Sequence, residues 1–456
     1  MINVYFFFRS ASISAMGVLV AAFLFCPVPA RSMDLKTFTL ANGLQGMVIE
    51  NHRLPMVTHM VWYRVGSADD PPGQSGIAHL LEHMMFKGKI DPFKEEFSRI
   101  ISRNGGVYNA ATDNNTTFYY QTIAANRLEL VMQLEAERMR ALAFSPADFQ
   151  TEYEVVREER RLWVDTQPEA LLYERVQAAL WGIHPYRNPV IGWDHELKAL
   201  KQEEVIAFHT RWYAPNNAFI IVTGDVTVDH VQRLAEKHYG NLPARPVPNR
   251  LRPPLPTPRA DTVIEMRHPE VRQPSWSRVY AVPSRRTPTE RTVTPYAAYV
   301  LVELLEYHSN NRLYQSLVID KKLALDVQIS YGEYDVDFGT FIIDASPRGE
   351  EEIPDMVEAI NTELNRFLEN GVTAEDVAHA QSRLQAEQIY LGDSLDEIAG
   401  IMGKFMSDGQ TLNDIVAWPE RIAAVTPQDV MATAKRIFKE SPHVSGVLCA
   451  TPPATP

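Results

Sequence analysis

Cysteine is nearly absent from this sequence, which has two among 456 residues. Two thiols can build neither a disulfide framework nor a cysteine-rich zinc site. Basic residues are fewer than acidic ones: the chain has 44 Lys and Arg and 57 Asp and Glu, which gives a net charge of −13. A protein that binds nucleic acid electrostatically needs clustered Lys and Arg, so no nucleic-acid partner is expected. Hydrophobic residues at 45% and charged residues at 22% are typical of a globular chain and exclude a fibre, a coiled coil or wholesale disorder.

An apolar run near the N-terminus is shorter than the ~20 residues of a membrane span. Arg9 is the only charge ahead of this run, Ala15–Ala30, which ends on Val28-Pro29-Ala30 with small residues at the −3 and −1 positions of a cleavage site. We therefore expect residues 1–30 to be a signal peptide that exports the chain and leaves no membrane span after cleavage. An uncleaved anchor is the alternative. Cleavage would remove Cys26 and leave Cys449 as a lone thiol.

Proline is concentrated in one segment, residues 241–261, which is predicted to be a semi-rigid, extended linker. It contains seven prolines: Pro243, Pro246, Pro248, Pro253, Pro254, Pro256 and Pro258. The segment separates residues 34–240 from residues 262–450, and each piece is long enough to bury its own core. The two pieces also resemble each other, since Glu203–Phe208 matches Gln428–Thr433 at an offset of 225. A repeated domain is the simplest explanation.

Each half mixes predicted strands and helices without the strict alternation of a parallel sheet. In the first half, for example, Met56–Val65 and Thr117–Ile123 have the composition of strands, whereas Ile77–Phe86 and Ala147–Val164 have helical periodicity. We therefore predict an α+β protein of two homologous domains, each an antiparallel sheet with helices on one face.

The segment with the clearest chemistry is His79-Leu80-Leu81-Glu82-His83, on a predicted helix that Ser75 could cap and Gly88 could end. Histidines at i and i+4 project from one helix face and can hold one metal ion between them. Glu82 lies next to a ligand position, where it could accept a proton from water at the metal without binding the ion.

A second helix, which begins at Ser145-Pro146-Ala147-Asp148, supplies candidates for a third ligand. Glu152 and Glu159 fall in its apolar stripe, where an unpaired carboxylate is costly. Either arginines or a metal site must therefore satisfy these two carboxylates. The neighbouring charges are predicted to form a solvated surface: Glu154, Arg157, Glu158, Arg160 and Arg161.

These motifs resemble the inverted zinc motif of the insulinase/pitrilysin (M16) metallopeptidases, in which a glutamate follows the histidine pair at long range. Here Glu159 follows His83 by 76 residues. The resemblance extends over roughly residues 34–450 and is closest to the branch of mitochondrial processing peptidase and the paired bacterial periplasmic peptidases. It implies one Zn²⁺ per chain held by His79, His83 and Glu159, with Glu82 as general base and Glu152 orienting a ligand. It also implies a periplasmic location.

The same resemblance implies that Val107–Thr112 is an edge strand on which Asn109 and Ala110 hold an extended peptide by backbone pairing. From the residue types alone, Gly105, Gly106 and Asn109 would favour a simple turn.

Single-chain members of this family supply an arginine and, seven residues later, a tyrosine from their C-terminal half to the scissile carbonyl. The matching positions here are Val318 and Leu325, and Arg312 is interpreted as structural. The best match to His79–His83 in the second half is Glu303–Tyr307, which is not a metal motif. We therefore expect a zinc endopeptidase or oligopeptidase subunit whose homologous, zinc-free partner supplies Arg and Tyr in a heterodimer. A non-catalytic zinc-binding or scaffold subunit is the alternative.

Overall fold

The computed structural model describes residues 35–88, 95–255, 260–284, 295–306, 312–332, 336–390 and 394–452. The expected signal peptide lies outside these residues. None of the helices in these ranges is long and apolar enough to cross a membrane.

The described part of the first half contains six strands and eight α-helices. The strands are β1 (Leu35–Thr39), β2 (Gln45–Glu50), β3 (Met56–Tyr63), β4 (Val107–Thr112), β5 (Thr117–Ala124) and β6 (Ala218–Gly224). The helices are α1 (Ile77–Met84), α2 (Phe97–Arg103), α3 (Leu128–Arg140), α4 (Pro146–Arg160), α5 (Pro168–Trp181), α6 (Asp194–Leu197), α7 (Gln202–Trp212) and α8 (Val228–Tyr239).

The described part of the second half has the same kinds of element. Its strands are β7 (Thr262–His268), β8 (Ser275–Pro283), β9 (Ala324–Gly332), β10 (Phe338–Pro347) and β11 (His443–Ala450). Its helices are α9 (Pro295–Glu306), α10 (Arg312–Tyr314), α11 (Ile353–Asn370), α12 (Ala374–Tyr390), α13 (Leu395–Ser407), α14 (Leu412–Val416), α15 (Trp418–Ala423) and α16 (Pro427–Lys435).

The two sheets share one strand order. The first runs β1-β2-β6-β3-β5-β4 and the second β7-β11-β8-β10-β9, so the orders coincide when the extra edge strand β1 is set aside. Each sheet is antiparallel except for one parallel pair, β2 with β6 and β7 with β11. The α+β prediction is confirmed, with mixed rather than purely antiparallel sheets. The parallel pair arises because the last strand of each half returns to lie beside an early strand of that half, β2 in the first half and β7 in the second.

One helix from each half packs on the sheet of the other half. Helix α5 packs on β7, β8 and β11, and α13 packs on β3 and β6. The backbone of Gly403 lies against the Trp62 ring so closely that an added Cβ would be 2.1 Å from it. Strand β3 is therefore covered on both faces, which explains why Val57–Tyr63 are all buried despite the alternation of their side chains.

The proline-rich segment is bound to both halves. Arg252 of this segment forms ion pairs with Asp69 of the first half at 3.0 Å and with Asp337 of the second half at 2.8 Å. Arg250 donates from Nη2 to the carbonyl oxygen of Asn115 at 2.8 Å. Through these contacts the segment fixes the two halves against each other as well as connecting them.

Candidate metal centre

Helix α1 carries three of the predicted site residues in a wholly buried setting. His79, Glu82 and His83 are 9%, 8% and 6% exposed, and the remaining residues of the helix are buried as well. The apolar side chains face the core, and the spacing of four residues brings the imidazoles together, with ring centroids 4.8 Å apart.

The N-terminus of α1 is held by a carboxylate that the sequence analysis did not identify. Asp70 accepts hydrogen bonds from the backbone N–H groups of Gly76 at 2.7 Å and Ala78 at 3.2 Å. The prediction that Ser75 caps this helix is wrong, because its hydroxyl accepts a hydrogen bond from the backbone N–H of Trp193 instead. Gly76 has a φ of 88°, which a residue with a side chain rarely adopts.

Helix α4 brings Glu159 to the two histidines. Its Oε2 atom lies 3.3 Å from Nε2 of His83 and 3.9 Å from Nε2 of His79. One ligand atom from each of the three residues fits within a separation of 4.8 Å. Among the described residues, this is the single group of three or more His, Cys, Asp or Glu side chains that could hold a metal ion. The structure thus brings together the three residues that the sequence analysis selected as ligands.

Glu152 lies at the Nδ1 side of the His83 ring, whereas Glu159 lies at the Nε2 side. Its Oε2 is 3.2 Å from Nδ1 of His83, and its Oε1 is 2.9 Å from the ammonium group of Lys87. A hydrogen bond at Nδ1 fixes the tautomer that leaves Nε2 free to bind a metal. Lys87 was not identified from the sequence, and it reaches Glu152 from just beyond the end of α1.

The two imidazoles are in opposite electrostatic environments. Burial, together with the nearby charge of His83, lowers the pKa of His79 to about 4. Burial also disfavours the charged form of His83, but its hydrogen bonds to Glu152 and Glu159 outweigh this and raise its pKa to about 9. At pH 7 the imidazole of His79 is therefore neutral and has a nitrogen lone pair for a metal ion. A metal ion that binds His83 would first have to displace a proton from that imidazole.

Glu82 points to the end of β4. The hydroxyl of Thr112 donates to Oε2 of Glu82 at 2.6 Å. Burial raises the pKa of Glu82, and the neighbouring His83 and the Thr112 hydroxyl act in the opposite direction. The sequence analysis did not identify this contact, and no local pattern signals it, because Thr112 and Glu82 meet only through the packing of the sheet on α1.

One of the charges predicted to form a solvated surface is in fact buried. Arg160 is 5% exposed, donates twice to the carboxylate of Glu174 on α5 and donates to the carbonyl oxygen of Gly192. That prediction is wrong for Arg160 because α5 covers this side of α4, which a helical wheel cannot show. Arg161 and Glu158 do form an exposed pair.

Asn109 and Ala110 lie on β4, the outermost strand of the first sheet. They pair with Tyr120 and Tyr119 of β5, and no other described strand pairs with β4. The turn alternative is wrong for Asn109, which lies within β4, and correct for Gly105, whose φ is 74°.

The second half has an ion pair at the position of the metal group. His79 and Glu159 are 80 residues apart in the sequence, and so are Glu303 and Arg383. Glu303 on α9 accepts a hydrogen bond from the guanidinium of Arg383 on α12. A carboxylate and a guanidinium that neutralise each other offer no cation site, because Arg stays protonated and cannot act as a ligand.

The donor set of the first half fits a zinc ion. Two imidazole nitrogens and one carboxylate oxygen, with a further carboxylate on the outer nitrogen of one histidine, match the ligands of catalytic zinc sites, which leave a fourth position open. Nε2 of His79 lies beyond hydrogen-bond length from Glu159, at 3.9 Å, so the two side chains do not satisfy each other.

Comparison with known proteins agrees with this geometry. Residues 47–194 match the family model described as "Insulinase (Peptidase family M16)", and residues 199–384 match the model "Peptidase M16 inactive domain". The chain belongs to the M16 family of zinc proteases. His79, His83 and Glu159 lie in the part of the chain that matches the insulinase model. Glu303 and Arg383 lie in the part that matches the inactive domain.

Several bacterial M16 proteins are similar over most of their length. The chain is 28% identical to the zinc protease PqqE of Helicobacter pylori over 415 residues, which cover 89% of this chain and 90% of that protein. It is 24% identical to the uncharacterized zinc protease YmxG of Bacillus subtilis over 409 residues, covering 89% of this chain and 96% of that protein.

Solved structures share the fold. A protease from Helicobacter pylori superposes with a TM-score of 0.80 and 26% identity, covering 92% of this chain and all of that one. The periplasmic protease PqqL from Escherichia coli gives a TM-score of 0.78 at 19% identity, covering 92% of this chain but 48% of PqqL. This chain therefore matches about half of PqqL.

Proposed function

We propose that this chain is a zinc-dependent endopeptidase or oligopeptidase subunit that hydrolyses extended peptides. His79, His83 and Glu159 would hold one Zn²⁺, Glu82 would serve as general base, and Glu152 would orient His83. One observation carries the proposal. The ligand atoms of His79, His83 and Glu159 converge beside the buried carboxylate of Glu82, which is not one of the ligands.

The mechanism follows from what each side chain can do. When bound, zinc would supply the Lewis acidity that lowers the pKa of a water molecule and polarises a peptide carbonyl. Glu82 would accept the proton of the attacking water and later donate it to the leaving amine. The raised pKa of Glu82 suits this double role, because a carboxyl group that is too acidic would not return the proton.

Substrate would lie along β4. Among the described strands β4 pairs with β5 alone, which leaves its outward edge for backbone pairing, and its last residue contacts the proposed base. A peptide added to this edge at Asn109 and Ala110 would be extended, which favours unfolded segments over folded proteins.

Metal removal tests the proposal directly. We expect dialysis against a chelator to abolish cleavage of an unfolded peptide, and one equivalent of Zn²⁺ per chain to restore it, because the described residues contain one group that could hold a metal ion. Zinc content by mass spectrometry and peptide cleavage are the two readouts. A chain that binds one zinc without cleaving any peptide would support the non-catalytic alternative, and a chain that binds none would support the scaffold.

A homologous partner is the second part of the proposal. Val318 and Leu325 occupy the positions where the family resemblance places the arginine and tyrosine, and Leu325 is 47% exposed with no polar group to offer. We therefore expect low turnover from the chain alone and a gain of at least about 100-fold with a partner that supplies both donors, since a single such donor is worth roughly 10²- to 10³-fold.

The partner test uses the zinc-loaded chain at fixed concentration, titrated with a homologous chain that lacks the His-x-x-Glu-His motif but keeps the arginine and tyrosine. Substituting both of those residues in the partner is the matched control. Full turnover by the isolated chain would refute the dependence on a partner.

Location in the periplasm is also a proposal. It rests on the apolar leader that ends at Ala30. Cell fractionation of the full chain, with the mass of the mature protein, tests both the location and the cleavage site.

A further inference from the structure

The turn between β4 and β5 is contacted by the second half, by the linker and by the segment that follows α5. This turn, Asp113–Thr116, immediately follows Thr112, whose hydroxyl donates to Glu82. The Asp113 carboxylate accepts from the backbone N–H groups of Asn115 and Thr116, each at 2.7 Å. The internal bonds of the turn therefore centre on one carboxylate next to Thr112.

Thr112 has one hydroxyl proton, and the surrounding contacts decide where it goes. Its neighbour Thr117 lies 3.4 Å away and donates its own proton to the carbonyl oxygen of Val65 at 3.0 Å. Glu82 is nearer, at 2.6 Å, and its carboxylate can only accept. The hydrogen bond from Thr112 thus goes to the base and restricts the rotation of its carboxylate.

A lysine of the second half binds this turn. Lys404 on α13 forms an ion pair with the Asp113 carboxylate. Helix α13 is itself fixed on the first sheet, where Ile398, Ala399 and Met402 are buried against Trp62 and its neighbours. Because the helix is packed along its length, Lys404 projects from a rigid support.

The linker and the segment that follows α5 bind the turn at Asn115. Arg250 donates to the carbonyl oxygen of Asn115, and the hydroxyl of Tyr186 is hydrogen-bonded to the Asn115 side chain at 2.9 Å. The turn is therefore restrained at both Asp113 and Asn115, and β4 with Thr112 at its end is restrained with it.

We propose that Thr112 is a positioning residue for the base Glu82, and that the second half contributes to catalysis by fixing Thr112 through the Lys404–Asp113 ion pair. This inference rests on the proposed peptidase function. It assigns the second half a role in turnover in addition to its role in folding.

The first test compares Thr112→Val with Thr112→Ser in the zinc-loaded full chain, with the partner present if turnover requires it. We expect Thr112→Val to lower kcat about tenfold with KM and zinc content unchanged, because the valine keeps the shape and loses the hydrogen bond to a charged group. Thr112→Ser, which keeps the hydroxyl, should retain kcat within about twofold. A serine variant as impaired as the valine variant would overturn the proposal, and so would a valine variant with wild-type kcat.

The second test asks whether Lys404 acts through Thr112. We expect Lys404→Met to lower kcat about threefold, as is reasonable for a partly exposed ion pair, and Lys404→Arg to preserve it. Lys435→Met, at an exposed ion pair elsewhere in the second half, is the matched control and should have no effect. In the Thr112→Val background, Lys404→Met should cause no further loss of kcat, because both changes release the same contact.

Independent effects in this double-mutant cycle would show that Lys404 is merely structural and would overturn its assigned role. If the wild-type chain with zinc and partner cleaves no peptide, the proposed function fails. If the wild type is active and the cycle is additive, only the present inference fails.

Discussion

Glu82→Gln is expected to lower kcat by about 10³- to 10⁴-fold while the chain keeps its zinc. A glutamine has the shape of the glutamate but can neither accept the proton of water nor deliver it to the leaving amine, and general acid–base catalysis contributes up to about 10⁴-fold. The amide oxygen can still accept the hydrogen bond from Thr112, so the local packing should persist. Peptide cleavage and zinc content, measured on the same preparation, check the prediction.

The matched control for this variant is Glu154→Gln, which removes a carboxylate from the exposed side of α4. It should leave kcat and zinc content unchanged. Near wild-type turnover by Glu82→Gln would remove this residue from the reaction. Loss of zinc from Glu82→Gln would instead place Glu82 among the ligands, which contradicts its proposed role.

Glu159→Gln is expected to weaken zinc binding by roughly 10²- to 10⁴-fold. A zinc-binding free energy of about 10 to 16 kcal/mol shared by three ligands gives each about 3 to 5 kcal/mol, and 1.4 kcal/mol corresponds to a factor of ten. Cleavage activity at stoichiometric zinc should fall with occupancy and recover partly at high zinc. Competition with a chromophoric chelator measures the affinity without relying on activity.

The neighbouring Glu158 offers a close control for this experiment. It is exposed and paired with Arg161, so Glu158→Gln should bind zinc as the wild type does. Equal zinc affinity in Glu159→Gln and Glu158→Gln would show that α4 supplies no ligand. The metal centre would then consist of the two histidines of α1 alone.

Local patterns were sufficient to nominate candidate ligands, and the family resemblance selected Glu159 rather than Glu152 among them. The spacing of His79 and His83 is a property of one helix turn, and the stripe containing Glu152 and Glu159 is a property of another. The structure brings these two helices together with the selected side chains facing each other. The α+β class was predictable for the same reason, since each strand and helix has its own periodicity.

Contacts between distant elements were not predictable in this way. The bond from Thr112 to Glu82 depends on how β4 lies over α1, and the burial of Arg160 depends on α5 passing beside α4. The N-terminus of α1 is bound by Asp70 and not by Ser75 because the chain before the helix folds back on itself. None of these arrangements follows from residue spacing within a single element.

The exchange of α5 and α13 between the two halves has a consequence for how such a chain can be divided. Each half lacks the cover for one face of its own sheet, so a fragment ending near the linker would expose the aromatic surface around Trp62 to water. We therefore expect neither half to fold as an autonomous unit. The metal group itself depends on the second half, because α13 covers one face of the sheet on whose side the group is built.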